Sequence, residues 1–295
     1  MKIISIILAL LAITGCAQTS PRYKPLPSAS IPEIAGAETV VVVSQKTINS
    51  FIGDSNVSAL TGGGLLAMQL DAAIVRSRIE TAETTIAPIR NALRDFHFNE
   101  KLMAVMQAET KNVSWLKDAK TELYTQKSTE ALEKRLLASV QPATLFFTIN
   151  YYSLSSDFST LMMVAEANLY PNTKELRRQQ VELYKDNSQI GQPGSPQASE
   201  KNSLYRNFFG YNKKLPKHSK GSETAVNLWT ANNGQKIRDA LSEGIQALVA
   251  MLVEDLNQTS HDPANTKGFA VSIKLNGKTF IVERSPTGSL SLVAD

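Results

Sequence analysis

The chain has 295 residues, 42% of them hydrophobic and 20% charged, with a formal net charge of +4 at pH 7. This composition excludes a disordered chain and leaves room for one large domain or two smaller ones. The basic excess is small and mostly scattered, so charge points to no nucleic-acid partner, and a single cysteine rules out an intrachain disulfide.

The N-terminus begins Met1-Lys2, continues as an apolar run from Ile3 to Ile13 and ends in Thr14-Gly15-Cys16. A basic start, a short apolar core and a small residue before the cut make a secretory signal. The run is too short for a membrane-spanning helix, which needs about 20 residues. Ile13-Thr14-Gly15-Cys16 resembles the lipobox of bacterial lipoproteins. That resemblance implies a diacylglycerol thioether on Cys16, cleavage after Gly15 and, in many Gram-negative bacteria, acylation of the new amine. An ordinary signal peptide with a small residue at its cut site is the other reading of these residues. Each buried methylene contributes about 0.8 kcal/mol, and stable anchoring takes two chains or more. Ala17 follows the cysteine, where an aspartate would imply inner-membrane retention in the enteric-type family. The expected address is therefore the cell outer membrane, lipid-anchored, with the body in the periplasm.

Residues 16–37 form the expected tether: the lipidated cysteine, then Pro21, Pro25, Pro27 and Pro32 among Ser, Ala and Gln. Pro-rich linkers run extended at about 3.1 Å per residue, a reach of roughly 60 Å. Val40 to Val43 reads as a buried strand. After Gly53, Asp54 and Asn56, and then Gly62-Gly63-Gly64, comes an apolar seam. It runs through Leu65, Met68, Ala72, Val75, Ile79, Ala82, Ile86, Ile89, Leu93 and Phe96 at spacings of three and four. Pro88 interrupts this stripe, so two helical segments, 65–84 and 86–97, are expected with one shared buried face. The stripe reads either as core or as a surface for a partner helix.

Shorter helices are expected over 99–109 and 128–139. After Pro142 the period changes to two. Leu145, Phe147, Ile149 and Tyr151, then Leu161, Met163, Ala165, Ala167 and Leu169, form one face of a hairpin around Ser155-Ser156-Asp157. Val181, Leu183 and Tyr184 are candidates for a third strand, as is the aromatic run from Leu204 to Tyr211. Residues 186–202 read as a loop. A long helix is expected from Glu223 to Leu256, with Ile237, Leu241, Ile245, Leu248 and Leu252 buried and a break at Asn232-Asn233-Gly234. Asn276-Gly277 supplies the positive φ angles of a type I′ turn. It pairs Ile273 with Phe280 and Val271 with Val282, and a last strand, Ser289 to Val293, completes a small meander.

Few residues suggest chemistry. His97, His218 and His261 are far apart, and none has a second histidine at metal-ligand spacing. His97 falls at a helix end, where capping is the plainer role. Ser114-Trp115-Leu116-Lys117 matches S-x-x-K, but its companion motifs are missing. Gly62-Gly63-Gly64 precedes a helix, yet Leu65-Leu66 stand where a phosphate loop needs Lys and Ser or Thr. Asp71 reads as solvent-facing or as a buried partner of Arg76 or Arg78. Glu166 is expected to be exposed. Lys213, Lys214, Lys217, His218 and Lys220 suit either a solvated loop or anionic headgroups.

The element order is similar to the anticodon-binding-like α/β layer of the curli-secretion lipoprotein and of the N-terminal domain of the Tol-system β-propeller protein. The similarity covers about residues 38–258. The helical insertion and the terminal meander depart from it. It implies an envelope assembly or secretion accessory. The expected fold is α+β: an antiparallel sheet packed by a long kinked N-terminal helix pair and a long C-terminal helix, plus a C-terminal β-meander. The expected units are a signal (1–15), a lipidated tether (16–37), an α/β domain (38–258) and the meander (269–295). The expected function is non-enzymatic, structural or protein-binding, with Cys16 as the one assigned site. The expected partners are the membrane, other envelope proteins or a second copy, with no nucleic acid, metal or cofactor. The rival is a lipid or small-molecule carrier, with a cell-wall or lipid hydrolase behind it.

Overall fold

A computed structural model describes residues 23–52, 65–116, 119–177, 202–216, 221–258, 270–285 and 287–294, without the side chains of 65–71 and 283. It is mixed α and β. In chain order the elements are β1 (Glu38–Val43), β2 (Asn49–Ser50), α1 (Leu65–Ala92), α2 (Phe98–Glu109), β3 (Thr121–Tyr124), α3 (Thr129–Leu137), β4 (Ala143–Leu154) and β5 (Thr160–Pro171). They continue with β6 (Tyr205–Lys214), α4 (Ser222–Asn257), β7 (Ala270–Leu275), β8 (Lys278–Glu283) and β9 (Leu290–Ala294).

The main sheet has the order β3-β1-β4-β5-β6-β9, with β2 beside the end of β4. The hairpin β4–β5 and its neighbour β6 are antiparallel. The pairs β1–β3, β1–β4 and β6–β9 are parallel. The sheet is therefore mixed, with β5 running against the other strands of this order. The amino ends of β1, β3, β4, β6 and β9 share one end, called the lower end below. Their carboxyl ends share the upper end.

Burial explains the sequence patterns. Every residue of β1 is buried because both of its faces are covered. Val41 and Val43 enter the main core with Leu145, Phe147 and Ile149, beneath α2 and α4. Val40 and Val42 enter a smaller cluster on the opposite face with Phe146, Tyr170 and Leu136 of α3. The five stripe residues named in α4 are all buried. Gly244 lets that helix lie against the sheet, since a Cβ there would sit 2.3 Å from Met163 Sδ. The break in α4 falls where it was expected: Asn232, Asn233 and Gly234 all have positive φ.

Five expectations are corrected. First, α1 is one helix that carries Pro88 within it, not two segments. Among its described side chains the stripe is buried only at Ile86 and Ile89, while Ile79 is 42% exposed. Second, a register shift between Ile149 and Tyr151 resets the alternation in β4. Tyr152 is buried and Tyr151 is exposed, the reverse of strict period two. Third, the terminal meander is an antiparallel pair. β7 and β8 keep the expected register, but β9 leaves them and pairs with β6 from Phe209–Leu290 to Lys213–Ala294. Leu290, Leu292 and Ala294 reach the main core this way, where an isolated ribbon would bury little. Fourth, Glu166 is not exposed: it accepts from Arg206 Nε at 3.0 Å.

The fifth correction concerns the tether. Residues 23–37 are part of the body. Lys24 forms an antiparallel bridge with Arg206 at the start of β6. Tyr23, Ile34 and Ala37 are buried in the main core. The Gly36 amide donates to the Trp115 carbonyl at 3.1 Å. The prolines in this segment shape a path along the body rather than a spacer away from it. The third-strand candidate at 181–184 lies outside the described residues.

Candidate functional site

The clearest concavity lies at the upper end, and topology accounts for it. β1 and β3 are parallel neighbours, yet their connections leave on opposite sides of the sheet. The chain after β1 leads to α1 and α2 on the α4 face, while the chain after β3 leads to α3 on the other face. A crevice forms outside the carboxyl ends of strands that part in this way, and open α/β sheets bind ligands there. Here it is a cavity of about 750 Å³. Val43 to Ile48 after β1 and Thr125 after β3 form one wall. Arg90, Leu93, Arg94 and Phe96 to Glu100, at the junction of α1 and α2, form the other.

Hydrogen bonds within the crevice shape its walls. The Gln45 side chain acts as a short splint. Its Nε2 donates to the Tyr152 and Thr47 carbonyls, each at 2.7 Å, and its Oε1 accepts from the Tyr152 amide at 3.2 Å. This satisfies backbone groups of β4 beyond Ile149, where its pairing with β1 ends. Tyr152 then stacks on Phe98, with ring centroids 4.4 Å apart. Burial pushes the Tyr152 phenol up to about 12, so it moves no proton near neutral pH. Arg90 clamps α1 to the loop: its Nε donates to the Ile48 carbonyl at 2.9 Å, and its Nη2 donates to Glu83 Oε1 at 3.0 Å. Hydrogen bonding to Arg90 holds the Glu83 carboxyl below its usual range.

The rim is basic. Lys46 and Arg94 are exposed, and Arg94 Nη2 donates to Asn91 Oδ1 at 3.2 Å. His97 precedes α2 without a side-chain capping bond and faces Glu100 at 3.9 Å. A second concavity of about 410 Å³ continues past His97 and Glu100 to Lys101, Arg238, Asp239 and Ser242. There Arg238 ties the kink of α4 to Asp95 and the Ala92 carbonyl. The two cavities share Phe96, His97 and Glu100, so the crevice extends as a groove.

The lower end holds the other concentration of polar groups. The Asp255 carboxylate accepts from Tyr205 Oη at 2.6 Å and Asn207 Nδ2 at 2.7 Å, and it pairs with Arg284. Arg284 Nη1 donates to the Gly288 carbonyl at 2.9 Å, and its guanidinium lies 4.1 Å from the Tyr23 ring centroid. The Asp255 and Arg284 side chains are 0% and 1% exposed. Burial, and then the neighbouring Asp255, push Tyr205 well above the usual range. A cluster sealed from solvent reaches no substrate. It joins α4, β6, the C-terminal turn and the N-terminal segment.

Among the described residues, those singled out in the sequence are not brought together. Cys16, Gly62 to Gly64, Lys117, Lys217, His218, Lys220 and His261 lie outside the described residues, as does the Asp71 side chain. Ser114 is exposed, while Trp115 and Leu116 are buried. Lys213 pairs with Glu243 at 3.5 Å. His97, the histidine among the described residues, falls at the crevice. Among the described residues no cluster of His, Cys, Asp and Glu could hold a metal, and no helix is long and apolar enough to cross a membrane. Gln45, Lys46, Arg90 and Arg94 carry no motif. Their one sequence signal is position, directly after the buried strand or near the end of the apolar stripe.

No family model and no curated protein matches the chain. Among solved structures it is similar to the PelC L103M dodecamer from Paraburkholderia phytofirmans, with 11% identity over 77% of this chain and 96% of that one and a TM-score of 0.23.

Proposed function

We propose that the chain is a lipid-anchored protein of the cell outer membrane, held through acyl chains on Cys16, that works without catalysis by binding another envelope protein in the upper crevice. The observation that carries this reading is the crevice itself. It sits where parallel strands part, has stacked aromatic rings in one wall, and presents Lys46 and Arg94 at its rim. Such a surface suits an acidic segment of a partner, with apolar side chains entering and carboxylates meeting the rim. The carrier reading has less support. It needs an apolar chamber between the β4–β5 hairpin and the helices, and that space is occupied by Leu145, Phe147, Met163, Leu169, Leu248 and Leu252 of one packed core.

Photo-crosslinking in cells tests the proposal. A benzophenone side chain at Asn91, on the crevice wall, is expected to yield one discrete adduct with an envelope protein. The double charge reversal Lys46→Glu/Arg94→Glu is expected to reduce that adduct at least tenfold, with the protein level unchanged. No adduct, or one insensitive to the reversal, would overturn the binding role. Mass spectrometry of the mature N-terminal peptide tests the anchor separately, and an unmodified Cys16 would overturn it.

A further inference from the structure

We infer that the lower end of the sheet rests on the lipid surface, with Leu137 and Val140 at the bilayer interface, and that the upper crevice points away from it. This rests on acylation of Cys16 as proposed above. The argument starts from chain length. The described residues begin at Tyr23, which is buried, and Lys24 is bridged to Arg206, the second residue of β6. Only six residues, Ala17 to Arg22, separate Cys16 from that point. At full extension, about 3.4 Å per residue, the leash reaches roughly 24 Å. The pairing register sets Arg206 level with Asn168 of β5 and Phe146 of β4. The β4–β5 turn at Ser156 lies about 30 Å further along the strands. An acyl chain on so short a leash keeps the lower end near the headgroups and the upper end beyond the leash's reach.

The surface of the lower end fits that placement. α3 descends from the carboxyl end of β3 and stops just before β4 begins. There Leu137 is 67% exposed and Val140 is 94% exposed, the most exposed large apolar side chain among the described residues. Both sit next to the sheet end, where the Asn172 amide donates to the Pro142 carbonyl at 2.8 Å. Lys134 and Lys174, near this pair in α3 and just after β5, are exposed. Glu175 beside Lys174 is exposed too, so the local charge is mixed, and it is the exposed aliphatic pair that matches the boundary between acyl chains and headgroups. Water gains nothing from Val140 at a loop tip, whereas a bilayer interface does.

The experiment uses the full acylated protein in phosphatidylethanolamine–phosphatidylglycerol vesicles. Because Cys16 is the only cysteine, acylation leaves an introduced thiol as the single site for an environment-sensitive fluorophore. Val140→Cys, Leu137→Cys and Ser156→Cys each carry the probe in turn, and all three sites are exposed. Lipids with a quencher near the headgroup are expected to quench the probes at 140 and 137 at least threefold more strongly than the probe at 156. Equal quenching at all three sites, stronger quenching at 156, or no quenching at 140 would overturn the orientation. Labelling of Cys16 itself in the unsubstituted protein would show that the anchor reading had failed instead.

Discussion

The two ends of the sheet manage their polar groups in opposite ways. At the lower end, Asp255 and Arg284 are withdrawn from solvent and surrounded by donors, acceptors and the Tyr23 ring. At the upper end, Arg90 keeps part of its surface, and Lys46, Arg94 and His97 stand in water around an open cavity. A buried ion pair adds little net stability over an apolar pair, but it fixes which segments meet. An open basic rim contributes little to folding and leaves its charges available to a partner. The difference separates an end whose charges tie chain segments together from one whose charges are left to solvent.

The largest expected effect tests the sealed end. Asp255→Ala strands the Arg284 guanidinium in the core, and urea denaturation is expected to show a loss of about 3–5 kcal/mol. Replacing both partners, Asp255→Leu with Arg284→Met, is expected to recover most of that loss. If the single variant cost less than 1 kcal/mol, the contrast between the ends would collapse. Gly288→Ala is a milder test of the same end. Gly288 has a φ of +87°, and a Cβ there would fall 1.9 Å from Tyr23 Cβ. Left-handed backbone alone costs a non-glycine residue about 1–2 kcal/mol. Chymotrypsin is expected to cut after Tyr23 sooner in this variant, while hydrogen exchange around the crevice stays unchanged.

The smallest expected effect belongs to the open end. Arg90→Ala removes a partly exposed ion pair, so the cost should stay below about 1 kcal/mol, with faster amide exchange in the loop around Ile48. Its pH signature is sharper. Arg90 holds Glu83 below the ordinary value of 4.5. A carboxyl whose folded pKa is depressed stabilises the fold above its unfolded value and loses that contribution as pH falls through the folded one. The native protein should therefore lose this contribution below about pH 4.5, and the variant should have none to lose. Carboxyl titration by NMR, with Glu83 returning upward in Arg90→Ala, checks the sign.

Much of the fold was legible where a repeating pattern met a continuous burial surface. Val40 to Val43, the β4–β5 alternation up to Ile149, the stripe of α4 and the Asn276-Gly277 turn all follow from side-chain spacing. The pattern misled where burial was not continuous. The stripe of α1 runs through Ile79, yet Ile79 is exposed while Ile86 and Ile89 are buried. Alternation in β4 fails at Tyr151 because the register against β5 shifts between Ile149 and Tyr151, a feature of strand pairing that the local sequence does not announce. The candidate site was hardly legible, because Lys46, Arg90 and Arg94 look like any surface cations until the strand order brings them to one crevice. The lower cluster was hidden for a similar reason: Tyr23, Tyr205, Asn207, Asp255 and Arg284 share no spacing.

By itself, the sequence determined the kinds of element, the turn chemistry and the lipobox-like signal, because each depends on neighbours within a few residues. The tertiary structure decided three further things: that β9 joins the main sheet, that residues 23–37 belong to the body, and that the basic side chains gather where β1 and β3 part. The physical reason is range. Local backbone preference and side-chain period act over one or two turns of chain, whereas strand order, a sealed ion pair and a crevice come from segments that meet only once the whole core has closed.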